Sequence, residues 1–362
     1  MLVHICCSVD SHFFLQKLRK LYPQKELIGF FYDPNIHPYS EYQLRLLDVQ
    51  RSCDKLKIKL IEGEYDYEGW LEAVEGFEDE PEKGKRCTIC FDNRLETTAK
   101  KAIKLGIKEI TTTLLTSPKK SIEQLRANAF EIEKKYSVHV ATPDFRVDGG
   151  TTEQFALAKQ DMLYHQNYCG CLFALGKQRE QQNRLKDELM SPITKQILPS
   201  SIQERIELYE EIIKCENSKQ KFRLKREKFL NYRVLNGLVK VAKKEPIPSY
   251  FLFYSTLRRD FTKGRLDFIE DGIGYFNREE ILMIDIKKLN EILKTSYISV
   301  KDLMKKPLHV ESEISLRKTL TNTIFQTLNT IVILDSIALE KYEIKLISKT
   351  YSDIREVLVK IG

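Results

Sequence analysis

Six of the eight cysteines in this sequence occur as three close pairs, and these thiols are the side chains best suited to chemistry. The pairs are Cys6-Cys7, Cys87-Thr88-Ile89-Cys90 and Cys169-Gly170-Cys171. Thiolates bind soft metals, and an iron–sulfur cluster commonly takes four of them. Six thiolates and the nearby Asp10 carboxylate exceed what one cluster uses. The spacing therefore predicts a metal or redox centre with a second metal beside it.

Two other chemistries also use paired cysteines. A structural zinc site with four cysteine ligands usually shows two C-x-x-C pairs, and that spacing is not met here. Thioredoxin-like disulfide exchange could use Cys87 and Cys90 alone, but it leaves the other paired cysteines without a role. Cys53 and Cys215 are isolated and are expected to be ordinary buried residues. The sequence favours the metal centre and leaves the other two chemistries open.

The loops around the pairs contain polar groups, each with a structural alternative. Two carboxylates (Asp33 and Glu41), two tyrosines (Tyr32 and Tyr42) and His37 suit gripping a polar ligand, whereas Pro34 and Asn35 fix a turn and could be purely structural. A helix starting at Ser117 either binds an anion at its free N–H groups or is simply capped. Arg146 follows a strand and can hold a phosphate or a carboxylate. Tyr164 leads into the third pair, where it suits base stacking or support of a metal.

Alternating strands and helices must position these residues. Apolar, β-branched runs predict strands at 2–5, 27–32, 58–61, 109–115 and 138–141. Helical patterns lie at 14–21, 40–57 and 95–105, and another helix is expected from Ser117. This alternation predicts an α/β fold with a mostly parallel sheet and helices on both faces. Cys6 and Cys7 then lie at the carboxyl edge of the first strand, where such sheets place their sites.

The sequence changes character after Asn183, and a boundary between Asn183 and Ser201 is expected. It separates a first domain, residues 1–183, from a second, residues 200–362. A helix at 202–214 and strand-like runs at 250–254, 272–276 and 330–334 predict a mixed α+β extension.

Composition limits the class of protein. A hydrophobic fraction of 42% is enough for real cores, and no run approaches the ~18 apolar residues of a membrane span. The first residues lack the basic region and cleavage site of a secretory signal, so a cytoplasmic protein with reduced thiols is expected. The net charge of +7 permits a polyanionic partner without requiring one.

The first half of the chain resembles the QueH-type epoxyqueuosine reductase family, over about residues 1–180. The segments that match are His4–Asp10, Phe31–Pro38 with Glu41-Tyr42, Arg86–Phe91 with Arg94-Leu95, Thr111–Pro118, Asp144–Arg146 and Tyr164–Cys171. The stretch from Cys6 to Ser11 also resembles a degenerate PP-loop, which implies a Rossmann-like sheet of the PP-loop or HUP type. Phosphate cradles need glycines for close approach of the backbone, so thiols at these positions suggest that metal binding has replaced nucleotide binding.

The resemblance implies an iron–sulfur oxidoreductase that converts epoxyqueuosine to queuosine at the wobble position of tRNA, without cobalamin. This is the last step of queuosine biosynthesis. The implied cofactors are a 4Fe–4S cluster and an additional metal ion, taken to be iron. The implied partners are tRNAs with a GUN anticodon, those for tyrosine, histidine, asparagine and aspartate, and an electron donor that the sequence does not identify.

Site residues follow from the resemblance position by position. The implied metal ligands are Cys6, Cys7, Asp10, Cys87, Cys90, Cys169 and Cys171. Candidates for the proton donor are Asp10, His37, Tyr164 and His165. Candidates for contacts with the tRNA are Tyr32, Asn35, Tyr42, Arg86, Arg94, Ser117, Lys119 and Arg146. Many relatives have Pro-Cys after the vicinal pair, whereas this chain has Val9-Asp10, so Asp10 is interpreted as a ligand of the second metal.

Two alternatives and one segment stay open at this point. A PP-loop enzyme that modifies tRNA with ATP would need the missing glycines, and a zinc-containing nucleic-acid-binding protein would need only a structural metal. The basic stretch from Lys219 to Lys244 could be an exposed helix face or a contact with the body of the tRNA. The family resemblance does not extend to it.

Overall fold

The computed structural model describes residues 1–118, 120–190, 195–242, 245–276, 281–321 and 329–361. The chain forms two compact units. The first contains Met1–Met190, Arg205–Leu224 and the end of the chain from Leu358, and the second contains the described residues between these segments. The first unit therefore gains a helix from beyond residue 200.

A five-stranded sheet, in the order β3-β2-β1-β4-β5, forms the centre of the first unit. Its strands are β1 (Leu2–Ile5), β2 (Ile28–Phe31), β3 (Lys59–Glu62), β4 (Glu109–Thr112) and β5 (His139–Val140). Every pairing is parallel, and Leu2 of the central strand lies opposite both Ile28 and Ile110. The predicted parallel sheet is confirmed. All four residues of β1 are buried, as expected for a strand covered on both faces.

Helices cover both faces of this sheet. The helices that precede β6 are α1 (Ser8–Leu21), α2 (Tyr39–Leu56), α3 (Tyr67–Ala73), α4 (Lys85–Lys104), α5 (Ile122–Tyr136), α6 (Gly150–Gln160), α7 (Leu172–Gln181) and α8 (Ile202–Asn217). Side chains alternate along a strand, so Val3 packs with Leu18 of α1 in one apolar cluster. Leu2 packs with Leu95 of α4 in the other. The two clusters are the core on which the site is built.

Two boundaries near the site differ from the predictions because of local capping. The strand predicted at 109–115 ends at Thr112, whose hydroxyl accepts a backbone N–H and starts a 3-10 turn. The helix predicted from Ser117 begins at Ile122 instead, where the Ser121 hydroxyl caps the first turn. A capping serine or threonine gives the backbone an alternative to the longer element.

The second unit is built around an eight-stranded sheet in the order β7-β6-β13-β9-β10-β11-β12-β8. Its strands are β6 (Phe222–Val241), β7 (Pro246–Ile247), β8 (Tyr250–Phe251), β9 (Phe261–Glu270), β10 (Ile273–Phe276), β11 (Ile281–Asp285), β12 (Thr330–Leu334) and β13 (Lys341–Lys360). Its helices are α9 (Ile286–Leu293), α10 (Val300–Lys305) and α11 (Val310–Thr321). This sheet confirms the predicted mixed α+β extension.

The basic stretch that suggested an exposed helix is strand β6, so that interpretation is wrong. Arg223 and Lys225 are exposed while Phe222 and Leu224 are half-buried, which is the two-residue period of a strand. Charged and apolar residues alternate over only a few positions of this stretch, so the local pattern does not distinguish a strand from a helix. Pairing with distant strands makes the stretch a strand. None of the helices in the described ranges is long and apolar enough to cross a membrane.

Candidate metal centre

The first cysteine pair lies at the carboxyl end of the central strand. Strand β1 ends at Ile5, and Cys7 is the N-cap of α1. The Cys6 sulfur lies 3.9 Å from the Cys7 sulfur and 3.7 Å from Oδ2 of Asp10. The ligand atoms of these three residues lie within 4.8 Å of one another, and no other such group of three occurs in the described part of the chain.

The second and third pairs also lie at helix N-termini. Cys87 and Cys90 are in the first two turns of α4, which begins at Lys85 rather than in the predicted range 95–105. Cys171 is the N-cap of α7. The positive end of a helix dipole stabilises a thiolate. All three pairs therefore lie where the backbone favours negative charge.

Gly170 allows the third pair to form. Its φ of +103° is one that other residues rarely adopt, and its carbonyl accepts the His37 N–H at 2.9 Å. An added Cβ would lie 2.7 Å from Cγ1 of Ile36. The loop that presents Cys169 and Cys171 therefore packs directly against the turn after β2.

One cavity of about 130 Å³ is lined by cysteines from all three pairs, although Cys7 itself is not part of its wall. Its lining includes Cys6, Cys87, Cys90, Cys169 and Cys171, and also Asp10, Asn35, Arg45, Trp70, Arg86, Arg94, Ser117, Lys120, His165 and Gln166. A single water needs only roughly 10–15 Å³ of cavity volume, so this cavity has room for a much larger group. Tertiary structure thus brings together the cysteines that the sequence grouped only by chemistry.

Hydrogen bonding within the first and third pairs favours one thiolate in each pair and raises the pKa of the other thiol, Cys7 or Cys171, while burial raises the pKa of Cys90 to about 12. The pKa of Cys6 is lowered to about 5, first by its hydrogen bond with Cys7 and then, against the effect of burial, by Arg94. The pKa of Cys169 is also lowered, by its hydrogen bond with Cys171 and by Lys120. Burial by itself would lower the pKa of Lys120. The negative charge of the nearby cysteines outweighs this effect, so the pKa of Lys120 is raised.

Several cavity side chains have polar atoms without a partner. The Nε atoms of Arg86 and Arg94 and the side-chain oxygens of Asn35 and Gln166 are buried without a hydrogen-bond partner among the described residues. Buried polar atoms are nearly always paired. Thiolate donors and unpaired N–H groups together fit an iron–sulfur cluster, whose sulfurs accept hydrogen bonds. The residues present therefore fit the implied cofactor.

The four candidate proton donors occupy different places. Asp10 and His165 line the cavity. Asp10 is buried, and Nε2 of Gln154 donates to its Oδ1 at 2.7 Å. The Tyr164 hydroxyl donates to Glu41 at 2.9 Å and is not in the cavity wall. His37 is also outside the lining.

The candidate tRNA contacts are similarly divided. Asn35, Arg86, Arg94 and Ser117 line the cavity, whereas Tyr32, Tyr42 and Arg146 do not, and Lys119 lies outside the described residues. Tyr42 is buried, and its hydroxyl donates to Glu62 at 3.1 Å. Arg94 forms a buried ion pair with Asp33. Arg146 donates to the Lys120 carbonyl at 3.0 Å.

Sequence reasoning missed Arg45, Trp70 and Gln154. Arg45 lies in the middle of α2, pairs with Glu41 at 2.8 Å, and lines the cavity. The (i, i+4) spacing of that pair was visible, but such pairs are usually exposed. Gln154 lies on α6, and no local pattern marks it as a partner of Asp10 across 144 residues.

Comparisons with known proteins show the family of this chain. A family model described as epoxyqueuosine reductase QueH matches residues 1–177. The epoxyqueuosine reductase QueH of Helicobacter pylori is 40% identical over 350 residues, which cover 92% of this chain and 94% of that protein. The QueH protein of Acinetobacter baylyi is 37% identical over 48% of this chain and 80% of its own length. That of Thermotoga maritima is 37% identical over 50% of this chain and 92% of its own length. This chain belongs to the QueH family of epoxyqueuosine reductases.

Proposed function

We propose that this protein is an epoxyqueuosine reductase that converts epoxyqueuosine to queuosine at the wobble position of tRNA. The observation that carries the proposal is the convergence of five cysteines, from three pairs, on one cavity in a chain of this family. The reaction takes up two electrons and two protons, breaks the two C–O bonds of the epoxide, and releases its oxygen as water. It therefore needs a redox group that accepts electrons from an external donor and passes two of them to the substrate.

The cysteine cavity is the place for that group. In this proposal Cys6, Cys7, Cys87, Cys90, Cys169, Cys171 and Asp10 hold a 4Fe–4S cluster and an additional iron, without cobalamin. When bound, these groups supply single electrons and a Lewis acid. The proximity of the Asp10 carboxylate to Cys6 and Cys7 supports a second metal at the end of β1. An unidentified donor would deliver the electrons.

The chain's own residues orient the base and supply a proton. His165 lines the cavity and is the candidate closest to the chemistry together with Asp10, whereas His37 and Tyr164 would act indirectly. The unpaired side-chain oxygens of Asn35 and Gln166 can accept hydrogen bonds from hydroxyl groups of the substrate. A target base leaves the anticodon stack to reach such a cavity.

Positive charge provides affinity for the rest of the tRNA. Lys120 and Ser117 line the cavity, and Arg146 binds the backbone beside them, so this side suits the phosphates of the anticodon loop. The exposed basic residues of β6 would contact the body of the tRNA. The substrates would be the tRNAs with GUN anticodons, in the cytoplasm. Tyr32, Tyr42, Arg86, Arg94 and Lys119 stay candidates for these contacts.

Anaerobic purification tests the proposal. Iron and acid-labile sulfide should be present, the visible spectrum should show broad absorption, and epoxyqueuosine in tRNA should be converted to queuosine by mass spectrometry of the nucleosides. A colourless protein after complete reconstitution would refute the cluster. A loaded cluster without conversion would refute the reductase. Zinc without sulfide would favour the nucleic-acid-binding alternative.

A further inference from the structure

Helix α8, which lies beyond the residues matched by the family model, is connected to two of the cysteine loops through intervening side chains. We infer that α8 is a positioning element of the metal centre, acting through Arg205, Tyr209 and Glu216. The inference rests on the metal centre proposed above. These side chains belong to the first compact unit, although they follow the boundary expected from the sequence. Two chains of contacts connect them to the cysteines.

The first chain starts at Glu216 and ends at the first cysteine pair. Glu216 accepts two hydrogen bonds from Arg51, from Nε at 2.9 Å and from Nη2 at 2.7 Å. Nη1 of Arg51 donates to Asp48 at 2.8 Å. Asp48 in turn accepts hydrogen bonds from the hydroxyl of Ser8 and from the backbone N–H of Tyr164, the latter at 2.7 Å. Ser8 directly follows the first pair.

The second chain starts at Arg205 and ends at the third pair. Arg205 donates to the Tyr164 hydroxyl at 3.5 Å, and this hydroxyl donates to Glu41 at 2.9 Å. Glu41 also pairs with Arg45 at 2.8 Å. The guanidinium of Arg45 then donates to two successive backbone carbonyls of the third cysteine loop, including that of Cys169, at 3.0 and 3.2 Å.

The contacting side chains lie on one face of α8. Arg205, Tyr209 and Glu216 are four and seven residues apart, which places them on the same side of a helix. The Tyr209 ring packs edge-on against Tyr164 at 5.6 Å. The side chains of Arg51 and Asp48 are 2% and 0% exposed, so these charges depend on their partners. Loss of Glu216 would leave the Arg51 guanidinium with one carboxylate fewer.

Groups that hold metal ligands from behind are normally worth roughly ten- to a hundred-fold in metal affinity or activity. Because α8 acts through two residues between Glu216 and Ser8, and through three between Arg205 and the third cysteine loop, we expect the lower end of this range. The helix would therefore set the geometry of the centre without contacting the substrate or the reacting atoms.

Full-length Glu216→Gln and Arg205→Met variants test the inference after anaerobic reconstitution. We expect about tenfold weaker retention of iron against a chelator. An altered electron paramagnetic resonance spectrum of the reduced cluster and a lower kcat at unchanged KM for tRNA should accompany this loss. Glu210 is exposed on the same helix, so Glu210→Gln is the matched control. Its iron retention and its kcat should stay within about twofold of those of the unsubstituted protein.

The outcomes separate this inference from the proposed function. If the unsubstituted protein binds a cluster and both variants retain iron and spectrum like Glu210→Gln, the role of α8 is refuted and the function stands. If the unsubstituted protein binds no cluster, the proposed function itself fails. Should the far-UV circular dichroism show that a variant is unfolded, Arg205→Gln decides. It removes the charge but keeps a polar side chain, and an unaltered spectrum and unaltered iron retention in that variant would refute the role.

Discussion

Gly170, between the two cysteines of the third pair, is a position where one added methyl group should be severely disruptive. Its φ of +103° is unfavourable for any L-residue with a side chain, which costs about 1–2 kcal/mol. The new Cβ would lie 2.7 Å from Cγ1 of Ile36 and 3.3 Å from Nη1 of Arg45. Overpacking of this kind adds about 1–3 kcal/mol. Gly170→Ala should therefore destabilise the first unit by about 2–5 kcal/mol.

The effect should appear in both stability and metal binding. For a unit of this size the loss corresponds to a melting temperature lower by roughly 4–20 °C, measured by circular dichroism. The third pair should also lose the metal that it is proposed to hold, since the clash lies between the two proposed ligands, Cys169 and Cys171. Iron and sulfide should fall well below the levels in the unsubstituted protein after identical reconstitution.

Gly106→Ala is the matched control for this variant. Gly106 also has a positive φ, +69°, but an added Cβ there meets no heavy atom within 4 Å. It should show only the backbone cost of about 1–2 kcal/mol and normal iron content. If Gly170→Ala had the same melting temperature and the same iron content as Gly106→Ala, the close packing of the loop against Ile36 would have no effect, and the reasoning would be refuted.

Four further predictions follow from the site and the core. Cys87→Ala should abolish conversion of the tRNA, whereas Cys53→Ala, at a buried thiol outside the cavity, should keep it. Asp10→Ala should lose about one iron per chain and the activity, and Asp10→Cys should restore both, in iron assays. Lys120→Met should make the reduction potential of the cluster more negative in redox titrations, because a cation beside the thiolates is removed. Burial raises the pKa of Glu313 to about 7, so the folded chain keeps a proton that the unfolded chain loses near pH 4.5. The free energy of unfolding should fall by about 3 kcal/mol between these pH values, and Glu313→Gln should remove this slope in denaturant titrations.

The sequence by itself determined the chemical types in the site and the layering of the first unit. Short apolar runs separated by helical patterns have one stable arrangement, a parallel sheet covered on both faces, and the structure has it. Paired thiols at the ends of these elements already indicated a metal. Local pattern did not separate helix from strand for β6, since charged and apolar residues alternate over only a few positions there and pairing with other strands fixes the form.

Only the tertiary structure decided which side chains surround the cysteines. Asp48 meets the backbone of Tyr164 across 116 residues, and Cys6 meets the Thr113 hydroxyl across 107. Such contacts leave no periodicity or spacing in the chain, because they depend on how separate elements pack. For the same reason the sequence does not show the contacts of Arg45 or of helix α8. Their residues look like ordinary members of amphipathic helices, and only the fold connects them to the loops that contain the thiols.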